Sequence, residues 1–380
     1  MNKTFPKGAR LEQALLKTLD EILGEIAWAS RSANLPNAAQ YGPDATIRLV
    51  TESGTPATLS LHVESELRPN AFSAWAARHE DGSRNNAAPV LAMPFVSARI
   101  AELCRRAGWS WLDLAGNCWL DVPGRLHIER TGNPPVHRPP RRGANLSTAA
   151  AARVMRVLLS PEHAGRSWTQ RDLQTQTCWH LPGERPISLG LVNKVLRHLR
   201  DERYVTMAGA DSEERGVKMQ DPESLLKAWC EAYRFKRHER RSYFTLLKRA
   251  ELDRTLAQVA TEAGGMAKYA VFSAAERQAP QVRQPKTWVY VAAQFIDTLA
   301  KHTQAKEVES GENLVVLIPD DPGVFLFSES QAFVGEQAMS CTNPVQTYVD
   351  LMHCGGRGEE AAQAVLEQRI LPMWKSADHA

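Results

Sequence analysis

Between residues 187 and 205 the chain reads ISLGLVNKVLRHLRDERYV, and Asn193, Lys194 and Arg197 fall within little more than one helical turn of it. An asparagine amide carries a donor and an acceptor side by side, the pair that matches an adenine edge, while lysine and arginine match the two acceptors of guanine. Ser188 and Gly190, just upstream, are small enough to admit close approach. The chemistry open to this group is hydrogen bonding and charge pairing, with no bond made or broken. On the same stretch Val192, Val195, Leu196 and Leu199 recur at the spacing of one helix face, which holds the polar residues on the other. A basic amphipathic helix on an ordinary solvated surface has the same pattern, so the neighbouring sequence decides between the two.

Charge is the first discriminator. The chain has 380 residues and a net charge of +3, yet residues 137–250 hold 22 Lys and Arg against 12 Asp and Glu, leaving 24 against 31 elsewhere. Positive charge concentrated in one segment suits a polyanion, because each phosphate contact releases condensed counterions. The length predicts two or three domains, and 43% hydrophobic with 23% charged residues is the composition of globular domains. No apolar run approaches the roughly 18 residues of a membrane span, and the start is amphipathic where a signal peptide is apolar. A cytoplasmic protein with no membrane partner is expected. The six cysteines form no C-x-x-C pair, and Cys178 with His180 lacks a second ligand pair, so neither a disulfide framework nor a metal is expected.

The order of elements around the opening stretch is the second discriminator. Ser147 or Thr148 caps a helix in TAAAARVMRVLLS with Val154, Val157 and Leu158 as its inner face, and Thr169 caps a short helix QRDLQTQ. The third helix starts at Ser188, and two short β-like pieces around Val205 and Val217 flank AGADSEERG. Three helices followed by a hairpin is the order of a winged helix-turn-helix, whose third helix enters the major groove of double-stranded DNA. In that arrangement Asn193, Lys194 and Arg197 read bases, with Ser188 and Gly190 beside them. Thr169, Gln170 and Arg171 open helix two near a phosphate, and Arg203, Arg215 and Lys218 contact the backbone from the wing, where Asp211, Glu213 and Glu214 oppose them. The linker TGNPPVHRPPRRGANLS adds Arg141 and Arg142 as further phosphate contacts or as solubilising charge. One departure is the connection TCWHLPGERP, longer than the usual turn between helices two and three.

Both flanks alternate strand-like and helix-like segments. The expected fold class is α+β multidomain, with an α/β unit at 1–133, a basic Pro-rich linker at 134–146, the winged helix-turn-helix at 147–229 and a C-terminal α/β domain at 230–380. Strands are expected at ATIRLVT, ATLSLHVESEL, APVLAMPFV, KYAVFSAA, TWVYVAAQF, NLVVLIP and GVFLFS. Residues 221–260 are expected to be largely helical and carry the basic cluster RFKRHERR, and GRGEEAAQAVLEQRIL is expected to be a closing helix. Its Gly-Gly approach is either a turn or a phosphate-binding helix start.

Three stretches, WSWLDLAGNCWLDVPG, the helix-turn-helix block ending in DPESLLKAWCEAYR, and the C-terminal KYAVFSAAERQAP with NPVQTYVDLMHCGGRGEEAAQAVL, resemble winged-helix transcriptional regulators related to the AbiEi-type antitoxins of type IV toxin-antitoxin systems. The resemblance implies a DNA-binding regulator that represses its own operon, with a cognate toxin or another protein as partner of the C-terminal domain. Such regulators can lack a unit like residues 1–133. That unit resembles the restriction-endonuclease-like fold, in which a carboxylate at one strand start and an E-x-K on the next hold a divalent metal. Here those positions fall on Asp44 and on Glu64-Ser65-Glu66, with glutamate where the lysine should be. Loss of that cation implies a scaffold without catalysis; the alternative is a Mg-dependent endonuclease targeted by the winged helix. No Walker loop, G-x-S-x-G, H-E-x-x-H or G-x-G-x-x-G occurs, and neither a cofactor nor an enzymatic activity is expected. A homodimer is a further expectation, since one recognition helix carries limited specificity.

Overall fold

Leu11, Leu15, Leu19 and Ile22 share one side of helix α1 (Ala9–Gly24), and all four are buried. The computed structural model describes residues 8–25, 29–35, 43–51, 56–80, 87–136, 143–207, 216–327 and 339–377. Two units are present, Met1–Arg142 and Gly143–Ala380.

In the first unit seven strands lie side by side in chain order: β1 (Ala29–Leu35), β2 (Ala45–Thr51), β3 (Ala57–Val63), β4 (Ala88–Met93), β5 (Ser110–Asp113), β6 (Cys118–Val122) and β7 (Leu126–Arg130). β3, β4 and β5 run parallel and the outer pairs antiparallel, so the sheet is mixed. The parallel crossovers are helices α2 (Pro69–Glu80) and α3 (Ala98–Arg106). Strand alternation sends Ile47, Leu49, Leu59 and Leu61 to the core with α1, whereas Phe72, Trp75, Ile100 and Cys104 pack with Leu91 and Trp109 in a second cluster. The sheet is therefore covered on both faces.

The second unit begins with α4 (Ala149–Leu159), β8 (Ser167–Trp168), α5 (Gln170–Gln176), α6 (Leu189–Asp201), β9 (Val205–Met207) and β10 (Val217–Met219). β10 pairs antiparallel with both β8 and β9, so the hairpin becomes a three-stranded sheet. Helix α7 (Pro222–Ala232) leads to a five-stranded sheet in the order β12-β13-β15-β11-β14, formed by β11 (Glu239–Phe244), β12 (Ala267–Tyr269), β13 (Thr287–Val291), β14 (Lys306–Glu307) and β15 (Leu314–Ile318). Around it lie α8 (Arg249–Glu262), α9 (Val271–Gln278), α10 (Ile296–Thr303), α11 (Pro344–Cys354), α12 (Gly358–Val365) and α13 (Leu371–Ala377). The two sheets are distinct, yet one apolar core runs from Val154 and Leu199 through Trp229 to Val316 and Trp374. No helix among the described residues is long and apolar enough to cross a membrane.

Three local expectations are corrected. The basic cluster after α7 is not helical: a 3-10 turn at Phe235–Arg237 leads into strand β11. Arginines are tolerated there because Arg240 lies 5.1 Å from the Trp288 ring centre and 3.3 Å from Glu312. GVFLFS begins with a 3-10 turn over Pro322–Phe325, started by Pro322 and by the Asp321 carboxylate accepting from the Gly323 amide at 2.8 Å. KYAVFSAA is a three-residue strand followed by α9. Before the closing helix, Gly355 and Gly356 take φ 78° and 59° in a turn, and Gly358 serves packing: a Cβ there would stand 2.2 Å from the Leu351 carbonyl oxygen of α11.

Candidate nucleic-acid interface

Helix α6 is built by a clean division of its residues. Val192, Val195, Leu196 and Leu199 are at most 5% exposed, whereas Asn193, Lys194, Arg197 and Arg200 are exposed. The extended Ser188 caps the helix, and its hydroxyl oxygen accepts from the Leu191 amide at 3.3 Å. At the other end Tyr204 N donates to Leu199 O and Arg203 N to Arg200 O, with Arg203 at φ 58°, where a glycine usually stands. Tyr204 is buried, so a hydrophobic contact fixes the turn into β9.

Among the described residues, the side chains of Asn193, Lys194 and Arg197 have no hydrogen-bond or ion-pair partner. Ser188 and Gly190 lie on the same exposed side of the first turn. The outward face also carries Leu189, 38% exposed and four residues before Asn193. The sequence reading passed over it; its signal was an apolar residue lying outside the buried stripe. An exposed aliphatic side chain in a groove can meet a thymine methyl.

Helix α5 packs its Leu173 into the core and leaves Thr169, Gln170 and Arg171 exposed. The Thr169 hydroxyl is committed to the cap: it accepts from Asp172 N at 3.2 Å and donates to Asp172 Oδ2 at 2.6 Å. A carboxylate therefore occupies the amino end of this seven-residue helix, which weakens it as a phosphate site. The wing keeps Lys218 exposed opposite Thr206, with Met207 55% exposed beside them. Gly216 fits where β10 crosses β8, since a Cβ there would stand 2.7 Å from the Trp168 carbonyl oxygen. Arg215, Arg141 and Arg142 lie outside the described residues. Arg203 is half-buried.

The long connection between α5 and α6 is anchored, which accounts for its length. Gln174 Nε2 donates to Ile187 O at 2.8 Å, Ile187 N donates to the Thr177 hydroxyl, and Leu181 is buried. Glu184 accepts from Arg153 Nη2 of α4 at 2.9 Å, and the same guanidinium binds Asp321 through Nε and Nη2 at 2.7–3.0 Å. Burial opposes the charge on Arg153, and the two carboxylates outweigh it. Nearby, Arg156 Nε donates to Gln346 at 2.7 Å, and Asn343 Nδ2 donates to the Ser160 hydroxyl at 2.7 Å. Polar contacts thus join the back of the three-helix segment to the five-stranded part.

In the first unit the three carboxylates of the metal reading have separate engagements. Asp44 Oδ2 accepts from Val63 N at 2.7 Å, Glu64 Oε1 accepts from the Trp75 indole at 2.7 Å, and Glu66 lies 3.7 Å from Arg68. Among the described residues no group of three or more His, Cys, Asp or Glu is placed to hold a metal ion.

Residues 218–371 match the family described as transcriptional regulator, AbiEi antitoxin, type IV TA system. The match runs from β10 to the start of α13, so this part of the chain is similar to an antitoxin-type transcriptional regulator family. Residues 1–133 and helix α6 lie outside it. No curated protein and no solved structure matches the chain.

Proposed function

We propose that residues 147–229 form a winged helix-turn-helix that binds double-stranded DNA in a sequence-specific way, and that the chain is an antitoxin-like regulator of its own operon. The observation that carries this is the outward face of α6, where Asn193, Lys194 and Arg197 are exposed with no partner among the described residues while the opposite stripe is fully buried. In this reading α6 lies in the major groove. Asn193, Lys194 and Arg197 address bases beside Ser188 and Gly190, and Leu189 lies against thymine methyls. Gln170, Arg171, Arg203 and Lys218 hold phosphates, joined by Thr169, Arg215 and the linker arginines Arg141 and Arg142.

The family match to residues 218–371 supports a regulator with a C-terminal domain that takes a toxin or another protein as partner. The chain acts in the cytoplasm, as a homodimer where the operator is a palindrome. Residues 1–133 serve as a restriction-endonuclease-like scaffold without catalysis, a reading supported by Glu66 in place of the lysine. Footprinting on the DNA upstream of the chain's own gene tests the proposal. A discrete protected site at moderate salt is the expected outcome; protection that spreads evenly over all sequences would end the specific reading. Plasmid left intact in Mg²⁺ is expected, and nicking lost in Glu64→Ala would instead reveal a nuclease.

A further inference from the structure

A small open cleft of about 30 Å³ lies in the second unit, where the amino end of α4 meets the segment after α7. Leu146, Ser147, Ala149 and Ala152 line one side, Tyr233, Arg234, Arg237 and His238 the other. Arg156, 2% exposed, also lines it, as do Asp320 and Asp321. Three arginines therefore face one space together with the positive end of an eleven-residue helix.

The carboxylates do not cancel them. Both oxygens of Asp321 are taken by Arg153 outside the cleft, which leaves Asp320 as the one lining carboxylate not already paired with a cation there. His238 adds no charge near neutrality: burial and the nearby Arg156 lower its pKa to about 4. Its Nδ1 accepts from Asp320 N at 3.1 Å, so its Nε2 carries the proton and donates to the Tyr233 hydroxyl at 2.7 Å. That hydroxyl also accepts from Gln346 Nε2 at 2.8 Å and donates to Asp350 at 2.7 Å, and it is satisfied. Arg237 Nη1 donates to the Ser147 carbonyl at 2.6 Å, and Arg234 Nη1 donates to the Glu231 and Tyr233 carbonyls at 3.1 and 2.9 Å. Arg156 Nη1 is buried with no acceptor, and Trp229, whose ring centre lies 5.6 Å from the Arg156 guanidinium carbon, has a buried indole Nε1 that also lacks one. A buried cationic donor without an acceptor is costly, and an anion reaching it relieves that cost.

We infer that this cleft is a binding site for a small molecule carrying a single phosphate or carboxylate group, held by Arg156, Arg237 and the amino end of α4. Asp320 at the wall disfavours polyphosphates and nucleic acid, which separates this site from the α6 face. The inference does not rest on DNA binding.

Calorimetric titration of the full chain with inorganic phosphate and, separately, with acetate, at ionic strength held constant with chloride, tests it. One saturable site for at least one of the two anions is expected, weakened about tenfold or more in Arg156→Gln and in Arg237→Glu, and unchanged in Arg197→Ala. Arg237 is exposed, so its variant reports even where Arg156→Gln does not fold. Absence of saturable binding by either anion, binding untouched by Arg237→Glu, or binding lost in Arg197→Ala would each overturn the inference.

Discussion

Helices α4 and α6 lie in the same core and carry the same cationic residue type, yet they use it in opposite ways. On α4, Arg153 and Arg156 are 6% and 2% exposed and bind Asp321, Glu184 and Gln346. On α6, Lys194 and Arg197 point outward without a partner among the described residues. A guanidinium engaged inside the chain holds parts together, whereas one left in water keeps its donors for phosphates or bases. Residue type alone says nothing about which; the partners do.

The largest expected effect comes from breaking the α4 side. Arg153→Ala leaves Asp321, 14% exposed, and Glu184, 36% exposed, without their counter-charge. Removing one member of a buried pair typically costs about 3–5 kcal/mol, and the partial exposure of both carboxylates puts the expected loss near the low end, about 3 kcal/mol. The midpoint of urea unfolding measures it. A loss below about 1 kcal/mol would mean that water replaces the guanidinium cheaply, and the contrast between the helices would weaken.

The α6 side should respond in the other observable. Arg197→Ala leaves unfolding unchanged within about 0.5 kcal/mol, since surface substitutions seldom do more. It should cost about 1–3 kcal/mol of affinity for the protected DNA site, with most of the loss at particular base pairs. Binding measured on the operator and on point-mutated operators separates base reading from general attraction. An equal loss on every sequence would move Arg197 from bases to phosphates.

The sequence made the outward side of this contrast legible and hid the inward one. The spacing of Val192, Val195, Leu196 and Leu199 fixes which residues of α6 face out, because periodicity is a local property. In TAAAARVMRVLLS the same reasoning put Val154, Val157 and Leu158 inside, yet the structure also buries Arg153 and Arg156. Their partners Glu184, Asp321 and Gln346 are distant in the chain, and no window contains both halves of the pair. The strands β2, β3 and β4 of the first unit were readable from their apolar runs, but two-residue β8 was not, since its support is pairing with β10. Strand β11 was hidden by its arginines, whose charges are offset by Glu312 and the Trp288 ring far along the chain. The unpartnered Arg156 Nη1 has no sequence signature at all.

A smaller effect distinguishes structure from binding at one residue. Arg203 holds φ 58° at the end of α6, a conformation that costs a non-glycine residue about 1–2 kcal/mol. Arg203→Gly relieves this strain but gains flexibility in the unfolded chain, so a net stabilisation of up to about 1 kcal/mol is expected. The same change should weaken binding to all DNA sequences alike, as loss of a phosphate contact does. Stability and affinity then move in opposite directions. A drop in both would mean that the Arg203 side chain supports the fold.

The finest test of the inward network is its response to pH, where two groups pull against each other. Burial raises the Asp350 carboxyl from 3.8 to about 6, only partly countered by hydrogen bonds from Gln346, Tyr233 and Tyr290. The folded chain therefore takes up this proton before the unfolded one, and the resulting stability is present below about pH 4 and lost as pH rises through 6. His238, lowered from 6.5 to about 4, has the reverse sign: its contribution is present above 6.5 and lost as pH falls towards 4. Burial shifts His163 and His198 in the same direction as His238. Between these limits Asp350 offsets the histidines. Asp350→Asn removes only the opposing contribution, so its stability should climb more steeply from pH 4 to 6.5 than that of the unaltered chain. Unfolding midpoints at several pH values measure the two slopes. Equal slopes would mean that Asp350 holds no extra proton in the fold, and that the Tyr233 and Tyr290 hydroxyls keep it ionised throughout.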